Sequence, residues 1–197
     1  MRKSNHQRRK LHRLQNLLVF CSKLFFLVGV VSIVLIVYLT WQRSNPWRLS
    51  FAIKSGQLAR ETTSSENNLP LSIQLADANI SLPVFPANIT KGKWETTTEG
   101  VSYLITSALP GQKGNSVFYG HNWPNLLGNL SRVMPGQSIR VILKDGTLVT
   151  YEVKFVTIVS PDQTHIIGPS NDKRLTIYTC TGWFDAKRLV VTAIIKS

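Results

Sequence analysis

Cys180 ends the β-branched run "LTIYTC" and is followed by "TGW". A thiol placed where strand gives way to loop can face a groove rather than a core. Thiolates are strong nucleophiles toward acyl carbons, and from an unperturbed pKa of about 8.5 a modest electrostatic push yields a useful thiolate population. Without chemistry, the same residue reads as a small buried hydrophobe, the commonest fate of a free cysteine. His121 closes "NSVFYGH" at the outlet of another expected strand, with Gly120 before it allowing close backbone approach. Imidazole is the usual group for moving a proton to or from an amine near neutral pH. Its rival, His165, lies in the loop-like "PDQTHIIGPSND", so His121 is preferred. Arg188 opens "RLVVTAII", eight residues after Cys180, and a short loop folding back would bring its guanidinium beside the thiol. Fixed cationic donors there would stabilise charge developing on an acyl oxygen. Lys187 and Arg174 compete for that part, but an extended strand carries Arg174 roughly 20 Å from the thiol. Asp185 leaves open a cysteine-histidine-carboxylate triad that orients the imidazole.

Other chemistries find little footing. The sequence has no CxxC and no HExxH, and the exterior offers too few histidines and cysteines for a metal site, so none is expected. "GQKGN" at 111–115 lacks the strand-to-helix setting of a phosphate cradle and reads as a turn.

What gives Cys180 its weight is topology. Arg2, Lys3, Arg8, Arg9, Lys10 and Arg13 precede the uncharged run "LFFLVGVVSIVLIVYL" at 24–39, and the first acid is Glu61. About 20 mostly apolar helical residues span a bilayer. Residues 17–41 therefore read as one transmembrane anchor, with Lys23 able to snorkel and Trp41 placed as an interface aromatic. The basic tail, residues 1–16, predicts a cytoplasmic N-terminus and an exterior C-terminal part. A cleaved signal peptide would need a small-x-small site that "VYLTWQRSNPW" does not offer. Cys21 thus falls in or beside the span, leaving no second cysteine in the compartment of Cys180. The formal charge is +13, but seven of the 23 basic residues lie in the first 23 positions, where topology explains them. The remaining sixteen, against ten acids, form no basic run, and nucleic acid is not expected as a partner.

Residues 42–68 read as a juxtamembrane linker, with a loosely amphipathic helical continuation through "WRLSFAIKSGQLAR" and the polar "ETTSSENN". From residue 69 to residue 197 short β-branched runs alternate with Pro, Gly, Asn and Asp, as in an all-β barrel or sandwich. Eight strands are expected, at 71–75, 80–84, 102–104, 116–121, 138–143, 148–159, 175–180 and 189–196. "KDG" at 144–146 marks a tight hairpin. Leu126, Leu127, Leu130 and Val133 recur at helical spacing and predict one short helix. The N-x-Ser/Thr sites at Asn79, Asn88 and Asn129 matter only in a host that glycosylates them.

"TIYTC", "YGH" and "KRLVV", in that order, make the region from Ser72 to Lys196 resemble the sortases, membrane-anchored cysteine transpeptidases of bacterial cell surfaces. The family signature TLxTC is met by Thr176, Ile177, Tyr178, Thr179 and Cys180, with Ile in place of Leu. The resemblance implies an eight-stranded sortase-type β-barrel with one or two short helices behind a single N-terminal transmembrane helix. It assigns the nucleophile to Cys180, proton transfer to His121, oxyanion stabilisation to Arg188, and lining of the substrate groove to Thr179. The implied reaction cuts an LPxTG-like sorting signal between Thr and Gly, holds the acyl group as a thioester, and passes it to an amine from a peptidoglycan precursor or a pilin lysine. No cofactor is implied. The short, acid-poor stretch 160–174 speaks against the calcium site of some class A enzymes, and "GHNW" leans toward a class D or E type. The chain ends just after its last expected strand, with no C-terminal membrane segment expected. Two readings stand beside this one: a catalytically inactive, membrane-tethered β-barrel binding module, and a hydrolytic thiol protease that uses Asp185.

Overall fold

The computed structural model describes residues 2–43, 49–52, 68–90 and 92–196. Two compact units divide the chain, Met1–Asn45 and Pro46–Ser197.

The first unit is one helix, α1, Arg2–Arg43, which begins within the basic tail. Its Gln15–Trp41 portion is long and apolar enough to cross a membrane. At 1.5 Å per residue it rises about 40 Å, against a hydrocarbon layer of about 30 Å. Two hydroxyls in this portion bond to the helix itself: Ser32 Oγ donates to the Val28 carbonyl at 2.8 Å, and Thr40 Oγ1 to that of Ile36 at 3.0 Å. Such back-bonding is how a lipid-facing helix keeps a hydroxyl satisfied.

The second unit is a barrel. Its strands are β1 Pro70–Leu75, β2 Ile80–Ala87, β3 Ile89–Thr90, β4 Lys93–Trp94, β5 Val101–Leu104, β6 Gly114–Tyr119, β7 Ser138–Leu143, β8 Leu148–Val159, β9 Lys173–Thr181 and β10 Lys187–Ile195. Eight of them close in the order β1-β2-β5-β6-β9-β10-β8-β7, and β3 and β4 pair separately as a small hairpin. All eight expected strands are present, β7 and β8 with the expected ends. Between these two, Gly146 adopts φ +86° and its N–H donates to the Leu143 carbonyl, which makes the tight turn.

Two expectations change, and one element is additional. The short helix is a 3-10 turn, Gly128–Arg132. Its rungs are i→i−3 bonds, from Leu126 to Trp123, Leu130 to Leu127 and Val133 to Leu130, so the apolar spacing reflects an inward face rather than an α-helix. The β3–β4 hairpin, two residues per strand, is too short to register as a periodic pattern. Within the stretch expected as linker, Leu49 and Phe51 are 0% and 3% exposed and belong to the barrel unit. The remainder of the helical continuation expected there lies outside the described residues.

β6 and β9 pair in parallel, Gly114 opposite Lys173 through Tyr119 opposite Tyr178. A parallel pair is normally buried on both faces and reads as a continuous apolar run. That is the case here: all six residues of β6 and the six from Leu175 to Cys180 are buried. Side chains alternate between two cores. Phe118, Leu175 and Ile177 point into the barrel with Leu189, Val191, Tyr151 and Ile139. Val117, Tyr119, Tyr178 and Cys180 point outward with Val190, under Leu49, Phe51, Trp94 and Ile167.

The inner core should carry most of the stability. Phe118→Ala is expected to cost about 3–5 kcal/mol. By contrast Phe155→Ala, at a position 65% exposed, is expected to change stability by less than about 0.5 kcal/mol. Urea unfolding of both variants measures the difference.

Candidate active site

β9 continues one residue past Cys180, so the thiol sits within the strand on the outer face and is 5% exposed. Arg188 of β10 is its direct antiparallel partner. Directly opposed residues have Cβ atoms about 4.5–5.5 Å apart, on the same face of the sheet. On the other side, the last paired residues of β6 and β9 are Tyr119 and Tyr178. The next N–H, that of Gly120, still donates to the Tyr178 carbonyl at 3.3 Å, and Thr179 Oγ1 donates to the Gly120 carbonyl at 2.7 Å. His121 follows the Tyr pair by two residues on its segment, as Cys180 does on β9. Cys180 and Arg188 are thus side by side, and the β6–β9 register, carried on past its last pair, runs the His121 segment toward the Cys180 side of β9.

Beside Cys180 lies an aromatic floor. Tyr119 and Tyr178 stack at 5.5 Å, Trp94 meets Tyr119 edge-on at 5.1 Å, and Phe51 meets Tyr178 edge-on at 4.9 Å. The Tyr178 hydroxyl donates to the Leu49 carbonyl at 3.1 Å. Burial pushes its acidity well below that of an ordinary phenol, which keeps it a neutral donor.

His121 is 5% exposed and stacks on Trp123, with centroids 4.6 Å apart and planes 15° from parallel. Its carbonyl accepts from Leu127, and the Trp123 carbonyl accepts from Leu126 and Gly128. A Cβ on Gly128 would meet the Trp123 carbonyl oxygen at 2.7 Å, so only glycine lets the loop close this tightly. Burial lowers the imidazole pKa below its ordinary 6.5, and the charge of Asp185 acts in the opposite, raising direction.

Arg188 is 3% exposed. Its Nη1 donates to the carbonyls of Asp185 and Lys187, both at 3.0 Å, and its Nη2 to that of Ser50 at 2.9 Å. The turn that delivers the Asp185 carbonyl is strained: Phe184 and Asp185 hold φ +51° and +58°. For a bulky side chain such as Phe184 this costs on the order of 1–3 kcal/mol. The strain is spent next to Cys180, while Trp183 and Phe184 themselves stand 84% and 53% exposed.

Thr179, expected to line a groove, alternates to the face opposite Cys180 and is 1% exposed, its hydroxyl turned to Gly120. It couples the strand bearing the thiol to the segment bearing the imidazole. Arg174 lies at the far end of β9, opposite Ile194, and pairs with Asp172 at 2.9 Å. His165 is exposed on a separate 3-10 turn, Thr164–Ile167. Among the described residues no three His, Cys, Asp or Glu side chains gather as a metal site would need.

Sequence reasoning missed the strap formed by Leu49, Ser50 and Phe51, and the stack on Trp123. The two apolar residues of the strap are separated by one polar residue, an alternation that fits an extended, one-side-buried segment better than a helix.

The family described as "Sortase domain" matches residues 73–195. Solved structures agree. Sortase C-1 from Actinomyces oris is 27% identical, with 64% of this chain and 73% of that chain covered at a TM-score of 0.56. Sortase A from Corynebacterium diphtheriae is 26% identical, with 81% and 82% covered, also at 0.56. Sortase C from Clostridium perfringens, solved with the C-terminal cell wall sorting motif, is 21% identical, with 66% and 72% covered at 0.55; this is a likeness of fold. Among curated proteins no relative matched.

The lowered pKa of His121 makes stability depend on pH. Unfolded, the imidazole takes a proton near 6.5; folded, it does so only at lower pH. In that window the unfolded chain holds more protons, so stability rises with pH and falls on acidification. Chemical denaturation between about pH 7.5 and about pH 5 should show a shallower loss for His121→Gln than for the wild type. Asp185→Asn should lower the imidazole pKa further, as read by NMR titration of the His121 ring.

Proposed function

The chain belongs to the sortase family, and on that footing we propose that it is a cysteine transpeptidase acting on an LPxTG-like sorting signal. The observation that supports this reading most is the direct strand pairing of Cys180 with Arg188, beside the parallel β6–β9 register that His121 and Cys180 each follow by two residues. In the first step the Cys180 thiolate attacks the carbonyl carbon between Thr and Gly of the signal. Arg188 holds the oxygen that gains negative charge, and His121 gives a proton to the departing glycine amine. The resulting thioester is then opened by an incoming amine, from a cell-wall precursor or a protein lysine, while His121 takes up the amine's proton. Exclusion of bulk water supports transfer over hydrolysis: each of the three residues is 5% exposed or less. With its basic tail in the cytoplasm and α1 across the membrane, the protein would meet its substrates as they emerge on the outer side. No cofactor enters this scheme.

A second reading, a hydrolytic thiol protease with Asp185 orienting the imidazole, is favoured by the effect of the Asp185 charge on His121. The two readings separate by mutation. Full-length protein in detergent micelles, given an LPxTG peptide and an excess of amine, should form the amide product, and Cys180→Ala should abolish it. Arg188→Ala should lower kcat/KM by about 10²–10³, with Asp185→Ala within about tenfold of wild type. Turnover that survives Cys180→Ala would sink the assignment. Hydrolysis unaffected by added amine, with Asp185→Ala the more damaging variant, would favour the protease. An inert wild-type thiol and no product would leave a binding module.

A further inference from the structure

Arg188 presents five N–H donors in a fixed fork. Three bonds tie its Nη atoms to the carbonyls of Asp185, Lys187 and Ser50. Its Nε–H is buried and has no acceptor among the described residues. The hydroxyl of Ser50, the residue whose carbonyl the same guanidinium holds, is also buried and has no partner among the described residues. A buried polar atom left unpaired is costly, and one on a cation more so, so two of them on residues that bond to each other call for a partner. One belongs to Arg188, directly opposite Cys180, and the other to the residue whose carbonyl Arg188 holds. The strap that brings Ser50 there is firmly seated: Leu49 and Phe51 are buried, the Leu49 carbonyl accepts from Tyr178, and the Ala52 N–H donates to the Pro161 carbonyl at 2.9 Å.

We propose that Ser50 is a further catalytic residue, and that its hydroxyl and the Nε–H of Arg188 together hold the acyl oxygen of the substrate on Cys180. The inference rests on the transpeptidase reading. When Cys180 Sγ bonds to the carbonyl carbon, the C=O π pair moves onto oxygen, and the two donors hold that oxyanion. Its collapse re-forms C=O, breaks the C–N bond and releases the amine with a proton from His121. No oxidant or co-reactant is required. The acceptor both donors lack is thus the oxygen that becomes charged during the reaction, and the strap N-terminal to the barrel is part of the site.

Ser50→Ala removes the hydroxyl and leaves the backbone carbonyl that holds Nη2, so the seat of Arg188 survives the test. Full-length wild type, Ser50→Ala and Ser50→Thr in detergent micelles are mixed with an LPxTG peptide, and the acyl-enzyme on Cys180 is followed by mass spectrometry in a single turnover. Ser50→Ala should lower the acylation rate by about 10–100-fold with KM within about twofold, and Ser50→Thr should restore most of it. Thermal melting should be the same for all three. Acylation by Ser50→Ala at the wild-type rate overturns the proposal while leaving the transpeptidase intact. A faster rate overturns it too and makes the strap an obstructing cover. A wild type that forms no acyl-enzyme removes both the reading and this inference.

Discussion

The structure depends on one constraint: β6 and β9 pair in parallel and are buried on both faces. Parallel register keeps residues at equal steps along the two strands at the same height, so Tyr119 beside Tyr178 sends the segment bearing His121 off beside the end of β9 that bears Cys180. Because side chains alternate, Cys180 points outward with Tyr178, away from the barrel interior. A shift of one residue in this pairing would turn the side chains of one strand to the opposite face. The tight inner packing of Phe118, Ile177 and Leu175 resists such a slip and so sets the geometry of a site it does not touch.

The outer face is a second small core rather than a bare sheet. Its cover comes from distant parts of the chain: the β3–β4 hairpin gives Trp94, the 3-10 turn between β8 and β9 gives Ile167, and the strap gives Leu49 and Phe51. Asn115, at the start of β6, ties these levels together. Its amide donates to the carbonyls of Ile166 and Gly168, and its oxygen accepts from Thr176 Oγ1. The aromatic floor lets the polar residues sit in a dry setting without leaving the tyrosine hydroxyls unsatisfied. Such a setting strengthens whatever charge separation they undergo, and it is also what lowers the imidazole pKa.

Much of this was legible beforehand because the barrel strands are written in β-branched runs cut by turn residues, which local chemistry reads well. Strands β7 and β8, half-exposed and joined by a glycine turn, were located to the residue. The parts that were not legible are those whose stability is borrowed. Two residues of β3 and two of β4 have no period to detect, and the 126–133 segment has helical spacing but 3-10 hydrogen bonds. Leu49 and Phe51 are apolar in a polar stretch, and only the surface they cover explains them.

By itself the sequence determined which groups are able to do chemistry: a thiol at the end of a β-branched run, an imidazole after a glycine, an arginine at the head of the last strand, and an apolar helix ahead of them all. These follow from residue type and short-range pattern, which a linear reading contains. Only the tertiary structure decided that Thr179 faces Gly120 instead of a groove, that Trp123 lies flat on His121, and that Ser50 meets Arg188. The last contact joins positions 138 residues apart, and the closing of the barrel under the strap is what brings them together.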